Sequence, residues 1–567
     1  MREKIWNYKN KALSREEIEE FSALCGIGPA MAVILLNRGI KTQKAVNSYM
    51  KKSLEDIHNP FMLDDMEEAI QRILSAIEKK EKIVIYGDYD VDGITATATV
   101  YKFLKSQGAD VSYYIPDRFS EGYGINILAI NKMARDGAKL MITVDCGITA
   151  VGEVEFAKTQ GLDIIITDHH TCREELPKAV AVINPKRPDS SYPFSGLAGV
   201  GVAFKLVLAL AIKLGMNTKD VFMEYVDMVA LGTIADVVPL VDENRVIADK
   251  GINSIENTNN KGIRALMEMA GAGGKTVDAN SVAFFASPRL NAAGRLKNAS
   301  LSVELMICDD DERAKEIAEH LDELNSERKD IEQKIFEEAY KKAEEMDEDQ
   351  LVYVISGENW NHGVIGIVAS RIAELFYRPC ILISVEGGKG KGSGRSVPEM
   401  NLFDALSDSE DLLTAFGGHS QAAGLSIAEE NIQAFSKKIN EFAKKNIDMA
   451  TLVPKLLIDC NLAGSSVTMQ AAKMIESMAP FGEGNELPVF SMQGLKVIAS
   501  QSMGVDKKHL RLRLSDGTNV FNAVGFGMGE LSEKLFPGTM VSVAFNMNIN
   551  TYQGSENLQL MLKDIKF

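Results

Sequence analysis

The sequence predicts two α/β domains joined by a long charged helix and followed by a small β-barrel or sandwich. Three patterns carry that expectation. From about residue 80, short β-rich runs at 82–86, 111–115, 140–144, 162–167 and 179–183 alternate with helix-length segments such as 94–106 and 149–159. Continuous apolar strands separated by helices indicate βαβ units and a parallel sheet covered on both faces. A second α/β pattern follows, with a strand over 351–355, a helix over 363–376 and a strand over 380–385. After about 450 the period becomes that of strands. Val541, Val543, Phe545, Met547 and Ile549 alternate with Ser542, Ala544, Asn546, Asn548 and Asn550, and short strands with turn signals suit a barrel or sandwich.

Between the two α/β patterns, residues 309–349 hold 18 acidic and 7 basic residues, no Gly or Pro, and Ile317, Leu321, Leu324, Ile331 and Ile335 at helical spacing. This is a connector helix whose charge forms a solvated face. The start of the chain reads as helical and mixed. There Gly26-Ile27-Gly28 is read as a helix-capping turn, in preference to a hairpin that holds DNA phosphates on backbone N–H groups. The expected segments are an N-terminal extension 1–75, a first α/β domain 76–308, the connector 309–349, a second α/β domain 350–450 and a β-rich domain 451–567.

A chain of 567 residues is long enough for three or four domains, and 46% hydrophobic with 25% charged residues is a core-forming composition,. The net charge of −17 argues against a nucleic-acid partner only if it is evenly spread. It is not. The connector carries a net −11, and 451–567 is neutral with 10 acidic and 10 basic residues.

No membrane segment is expected, because 197–214 is interrupted by Lys205 and Lys213 and reads as a buried helix,. The first residues carry charges with no apolar run behind them, unlike a secretory signal. The six cysteines are scattered without a CxxC pair, which fits neither a zinc site nor a disulfide framework and suits the cytoplasm.

Chemistry concentrates where predicted strands end. The first runs into Gly87-Asp88-Tyr89-Asp90-Val91-Asp92-Gly93, the third into Asp145-Cys146-Gly147, and the fourth into Asp168-His169-His170. Parallel sheets bind ligands beyond the carboxyl ends of their strands, so the three clusters should meet in one crevice. Five carboxylates and two imidazoles there repel severely unless cations neutralise them. The mixed set suits Mn²⁺, with Mg²⁺ as a substitute, and disfavours zinc. A calcium loop fails, because the twelfth position from Asp88 is Thr99 rather than Glu,. Taken singly, Asp145 could cap a helix and the His pair could be polar surface. Three such clusters at strand ends make that a poor account. Two nucleotide motifs also fail: Gly274-Lys275-Thr276 has Met269 where a P-loop needs its first glycine, and Gly199-Val200-Gly201 has Phe204 where a dinucleotide fingerprint needs its third,.

These three motifs resemble those of the DHH phosphoesterases. The likeness extends to 232–240, Pro288-Arg289-Leu290-Asn291-Ala292-Ala293-Gly294-Arg295, Trp360-Asn361-His362-Gly363-Val364-Ile365-Gly366, Gly394-Arg395-Ser396, Gly417-Gly418-His419 and 480–485. Together they are similar to the single-strand-specific exonuclease branch of that family, across nearly the whole chain and in order. The resemblance implies DHH- and DHHA1-type α/β domains around a central cleft, followed by an OB-fold. It implies two metal ions, one held by Asp90 and Asp145 with Asp88 beside them, the other by Asp92, Asp145, His169 and Asp236. His170 would face the scissile phosphate, and Asp168 would orient its neighbours.

The implied reaction is 5′→3′ degradation of single-stranded DNA to 5′-mononucleotides, in recombination and repair. The resemblance assigns the 5′-phosphate to Arg118, with Ser393 and Arg395 as partners and Arg289 as a weaker candidate. His419, after Gly417-Gly418, is read as a substrate contact in preference to a satisfied structural histidine. Independently, 387–396 reads as a Gly-rich loop whose Lys389, Lys391 and Arg395 offer donors to a phosphate,; a flexible surface turn is the plainer alternative. In the last domain, Arg511 and Arg513 alternate with Leu510, Leu512 and Leu514, so a strand buries the leucines and turns the arginines outward, where they can track a DNA backbone. Phe521 and Phe526 read as core. The expected protein is a monomer acting on single-stranded DNA, with a helicase and a single-strand-binding protein as partners. A small-substrate DHH phosphodiesterase would lack the third domain, and a non-catalytic relative would have lost ligands that are all present here.

Overall fold

Five parallel strands form the first sheet: β1 (Lys82–Gly87), β2 (Val111–Tyr114), β3 (Ala138–Val144), β4 (Asp163–Thr167) and β5 (Ala181–Ile183), in the order β2-β1-β3-β4-β5. The computed structural model describes residues 4–118, 120–122, 124–271, 276–347, 349–552 and 554–567, apart from the side chains of Lys11, Ala450 and Tyr552. Gly274 and Lys275 of the discounted P-loop, and Phe119 and Tyr123 beside Arg118, lie outside the described residues. The chain forms two compact units, one made of 58–238 with 250–452, the other of 1–57, 239–249 and 453–567.

In the larger unit, helix α1 (Val91–Ser106) packs under the first sheet against α2 (Gly199–Lys213) and α3 (Thr218–Ala235). The run Thr95, Thr97, Thr99 would be awkward in a buried helix, yet each hydroxyl donates to a carbonyl one turn back, at 2.7–2.8 Å, so no polar group is stranded. Helix α2 is the apolar stretch that resembled a membrane span. It is buried along nearly its whole length, Lys205 included, whose Nζ donates to the His58 carbonyl at 2.8 Å. Among the described residues no single helix is long and apolar enough to cross a membrane.

Helices α4 (Ser287–Leu296) and α5 (Asp311–Glu344) lead to the second sheet. The connector α5 is not solvated all round: Ala314, Ile317, Leu321, Leu324, Ile335 and Ala339 are buried, with Asn325 and Arg328 among them. It packs first on α4 and then on α6 (Ile365–Phe376), so its apolar stripe joins both α/β domains.

The second sheet comprises β6 (Tyr353–Glu358), β7 (Cys380–Glu386), β8 (Lys389–Arg395), β9 (Leu413–Gly418) and β10 (Ala422–Ala428), in the order β9-β10-β8-β7-β6. Only β6 and β7 are parallel; the other pairs are antiparallel. Here the expected Gly-rich loop at 387–396 is corrected. Gly387 and Gly388 make the turn with φ of 55° and 76°, and Lys389–Arg395 is the central strand of the sheet. The reason is packing. A Cβ on Gly390 would lie 2.8 Å from Ile383 and 2.9 Å from Ile427, on Gly392 2.9 Å from Leu425, and on Gly394 2.7 Å from Leu402. Alternate glycines let neighbouring apolar side chains close over the strand.

The smaller unit is built on a five-stranded closed barrel. Strands β11 (Phe490–Met503), β12 (His509–Ser515), β13 (Val520–Gly525), β14 (Met540–Tyr552) and β15 (Ser555–Lys566) pair as β11-β12-β13-β15-β14, and β14 returns to β11. Leu510, Leu512 and Leu514 are buried while Arg511 and Arg513 are exposed, as the alternation predicts. In β14 the period breaks at a register shift between Ala544 and Phe545, so Ala544 and Asn546 are buried as well. Asn546 Nδ2 is satisfied there by the Pro488 carbonyl at 2.6 Å. Phe521 is buried, as expected, but Phe526 is exposed against the His509 ring, and this corrects its assignment to the core. Strand Ile5–Tyr8 pairs in parallel with Lys455–Ile458, and the helices Arg15–Cys25 and Pro29–Asn37 pack on the barrel core. Between those helices Gly26 is a left-handed C-cap and Gly28 the next N-cap, the capping turn of the sequence reading.

Candidate active site

The three motifs and Asp236 meet at the carboxyl edge of the first sheet. Asp88 follows β1 and is buried, and Asp90 caps α1 by accepting from the Gly93 N–H at 3.1 Å. Gly93 makes this loop possible, since a Cβ there would lie 2.6–2.8 Å from the Asp88 backbone. Asp92 is 1% exposed and accepts from the N–H groups of Gly199 and Val200 at the start of α2, both at 2.7 Å. Asp145 takes a left-handed backbone (φ 61°) beyond β3. Its side chain rests on Gly199, where a Cβ would be 2.4 Å from Oδ1. Asp236 ends α3.

Both histidines are oriented by fixed partners. His169 Nδ1 faces the Leu197 carbonyl at 3.2 Å, which sets the proton on Nδ1 and leaves the Nε2 lone pair free. That Nε2 lies 3.2 Å from Asp145, 3.6 Å from Asp236 and 3.8 Å from Asp92. His170 Nδ1 donates to Asp168 Oδ1 at 2.7 Å, and the same carboxylate accepts from the N–H groups of His169, His170 and Ile148.

The electrostatics divide these groups by role. Burial pushes Asp88, Asp92 and Asp145 well above the usual carboxylate range, and their neighbouring carboxylates push them further. Asp236 is raised to about 7 by burial and by Asp90. Burial and the neighbouring His170 hold His169 down to about 3. Against the cost of its own burial, Asp168 is held below its ordinary value by the His170 hydrogen bond and charge. Burial opposes the charged form of His170 too, yet Asp168 raises it above an ordinary imidazole.

This donor set fits divalent cations. Ligand atoms of Asp88, Asp90 and Asp145, and those of Asp92, His169 and Asp236, lie within 4.8 Å of one another in each trio, and Asp145, His169 and His170 form a third group linking the two. Asp88 Oδ1 and Asp145 Oδ1 are buried without a hydrogen-bond partner, a costly state that a cation relieves. Oxygen donors with one neutral imidazole suit Mn²⁺ or Mg²⁺.

Beside the carboxylates stands a group of arginines. Arg118 lies with its guanidinium carbon 5.0 Å from the centre of the Tyr89 ring. Arg295 donates to the Gly363 carbonyl at 2.9 Å and is lowered to about 10, first by burial and then by Arg118 and Arg328, with Arg395 adding to the effect. Arg395 donates to Ser393 Oγ at 3.2 Å. Both residues abut the first turn of α6, where a Cβ on Gly366 would lie 2.9 Å from Ser393 Oγ and 3.1 Å from Arg395. Cations gathered near a helix N-terminus make an anion site.

Comparison with known proteins identifies the family. Three family models match: the N-terminal domain of the DHH family over residues 82–233, the DHHA1 domain over 348–445 and the RecJ OB domain over 458–564. The single-stranded-DNA-specific exonuclease RecJ of Bacillus subtilis is 38% identical over 97% of this chain and 69% of its own length. Its namesake in Escherichia coli is 33% identical over 98% of both chains. The chain belongs to the RecJ family. The crystal structure of RecJ from Thermus thermophilus in complex with Mn²⁺ superposes with a TM-score of 0.85 at 30% identity, covering 99% of this chain and 79% of that one. Its Mg²⁺ complex gives a TM-score of 0.79 at 28% identity, over 99% and 78%.

Within this RecJ-family site, the structure brings together Asp88, Asp90, Asp92, Asp145, Asp168, His169, His170 and Asp236, and sets Arg118, Ser393 and Arg395 in the cationic group. Arg289 is engaged elsewhere: it is bonded to Asp322 at 2.8 Å and to the carbonyls of Phe285 and Met269. His419 is exposed on the turn between β9 and β10. Neither Arg295, although it closes the motif at 288–295, nor Tyr89, between Asp88 and Asp90, has a role in the reading from sequence. A basic and an aromatic residue inside the quoted motifs were the available signal.

Proposed function

We propose that the protein hydrolyses single-stranded DNA from its 5′ end and releases 5′-mononucleotides, in recombination and repair, using two divalent cations. The observation that carries this reading is the meeting of three strand-end motifs and Asp236 in two ligand groups that Asp145 links. Asp88, Asp90 and Asp145 would hold one ion, and Asp92, Asp145, His169 and Asp236 the other, with Mn²⁺ preferred and Mg²⁺ able to substitute. Divalent cations held there would supply neutralisation of charge on the attacking and leaving oxygens of an in-line displacement.

The chain's own residues do the rest. His169, with its proton on Nδ1, offers Nε2 as a ligand. His170, favoured in its charged form by Asp168, presents Nε2–H to the scissile phosphate, while Asp168 has both oxygens committed and serves to orient it. Arg118, Arg295, Ser393 and Arg395 would hold the terminal 5′-phosphate, which sets polarity. Single-strand specificity follows if the two α/β domains admit one strand and exclude a duplex, and the exposed Arg511 and Arg513 would contact a DNA backbone.

All proposed ligands come from one chain, so a monomer suffices. A helicase that supplies single strands and a single-strand-binding protein are the partners such an activity calls for. The test is digestion of one DNA sequence as a linear and as a covalently closed circular single strand. The linear form should yield mononucleotides and the circle should survive. Degradation of the circle would remove the requirement for an end.

A further inference from the structure

Tyr89 lies between Asp88 and Asp90, in the loop that carries two of the proposed ligands, and its contacts lead out of that loop in two directions. Its ring faces the Arg118 guanidinium, 5.0 Å from carbon to ring centre. Its carbonyl oxygen abuts α4 at Gly294, where a Cβ would lie only 2.6 Å away. The next residue, Arg295, repeats this closeness on its other side: a Cβ on Gly363 would lie 2.2 Å from the Arg295 carbonyl oxygen, and the Arg295 side chain donates to the Gly363 carbonyl at 2.9 Å. Backbone contact therefore runs from the ligand loop through α4 to the turn that opens α6, where Ser393 and Arg395 lie.

The ring contact has a chemical rationale. Arg118 stands near charges of both signs, since it repels Arg295 and Arg395 and favours the charged form of Asp88. A carboxylate bonded directly to its guanidinium would hold it more firmly but cancel the charge and consume the donors that a phosphate needs. An aromatic face attracts the cation and leaves its N–H edge free.

We propose that Tyr89 is a positioning residue that ties recognition of the terminal phosphate to the ligand loop, its ring holding Arg118 in place and its main chain setting the distance to Arg295. This rests on the reading of Arg118 and Arg395 as the end-binding group. The deciding quantity is the ratio of kcat/KM on a 5′-phosphorylated linear single strand to that on the same strand with a 5′-hydroxyl, with Mn²⁺ present. This ratio does not depend on the fraction of active protein.

Tyr89→Leu, which removes the aromatic face, should lower the ratio about five- to tenfold, chiefly through KM for the phosphorylated end. Tyr89→Phe, which keeps the ring, should restore the wild-type ratio to within about twofold. Arg118→Ala should collapse the ratio, and adding Tyr89→Leu to it should lower it no further. An unchanged ratio in Tyr89→Leu beside a collapsed one in Arg118→Ala overturns the role of Tyr89 alone. Equal losses in the Leu and Phe variants overturn the ring's part in it. An unchanged ratio in Arg118→Ala removes the end-binding reading itself, and the coupling falls with it.

Discussion

The two α/β sheets of the larger unit put their chemistry in different places. In the first, all strands are parallel and every site residue stands on a loop beyond a strand end or at a helix terminus. In the second, Ser393 and Arg395 lie on a strand, β8, held centrally between antiparallel neighbours. Loops beyond parallel strands can gather many short acids in one crevice and leave the sheet core to apolar residues. A strand has only two faces. Giving one face of β8 to Ser393 and Arg395 requires the other to vanish into the core, and Gly390, Gly392 and Gly394 are the result. The first sheet thus separates stability from function residue by residue, whereas the second places both on the same seven residues.

The first sheet is most sensitive at Asp145. Asp145→Ala should lower single-strand hydrolysis at least about a thousandfold, roughly 4 kcal/mol, while DNA affinity measured by fluorescence anisotropy stays within a few fold. A variant that keeps its activity would sink the linked-ligand scheme.

Cations come next. A carboxyl whose folded-state pKa is raised stabilises fully below its unfolded value and loses that contribution as pH rises through the folded value. For Asp236, at about 7, the window runs from about pH 4 to about pH 7. Metal-free protein should therefore lose stability across that range. Cation binding needs the ionised forms and strengthens over it. The rise in Tm on adding Mn²⁺ after EDTA treatment should thus be larger at pH 8 than at pH 6, and at a hundred times Kd it corresponds to about 2.7 kcal/mol. Equal shifts at the two pH values would contradict the proposed ligand set.

In the second sheet the expected failure is structural. Gly392→Val should cost about 1–3 kcal/mol in urea unfolding, because its Cβ would lie 2.9 Å from Leu425. Gly417→Ala, on the edge strand with nothing within 4 Å, should be nearly neutral. Equal costs would show that the glycines of β8 are not there for packing. The smallest effect belongs to the barrel. Arg513→Ala should weaken single-strand binding modestly and reduce the slope of log affinity against log salt by about 1, and an unchanged slope would take Arg513 off the DNA path.

Much of the fold and of the site is legible in the amino-acid sequence. Apolar strands ending in aspartates place the first sheet and its crevice, because parallel βαβ geometry leaves ligand-binding loops one location. The alternation of Leu510, Arg511, Leu512 and Arg513 orients the barrel strand. The Gly-rich segment misleads, since glycine spacing looks the same whether it serves a turn or a close-packed strand, and only the positions of Ile383, Leu425 and Ile427 tell them apart. Asp236 carries no local pattern of its own and enters through resemblance.

Local order along the chain dictates the chemistry: the acids and imidazoles, their places at strand ends, and their need for cations. The grouping of those residues is instead a product of packing. Asp145 is grouped with Asp88 and Asp90 on one side and with His169 and His170 on the other, Arg289 pairs with Asp322, and Tyr89 faces Arg118, because contacts between residues far apart in sequence are set by how the elements pack. Sequence order specifies which atoms a site can have; the close approach of backbones, allowed here at Gly199, Gly294 and Gly363, specifies which of them meet.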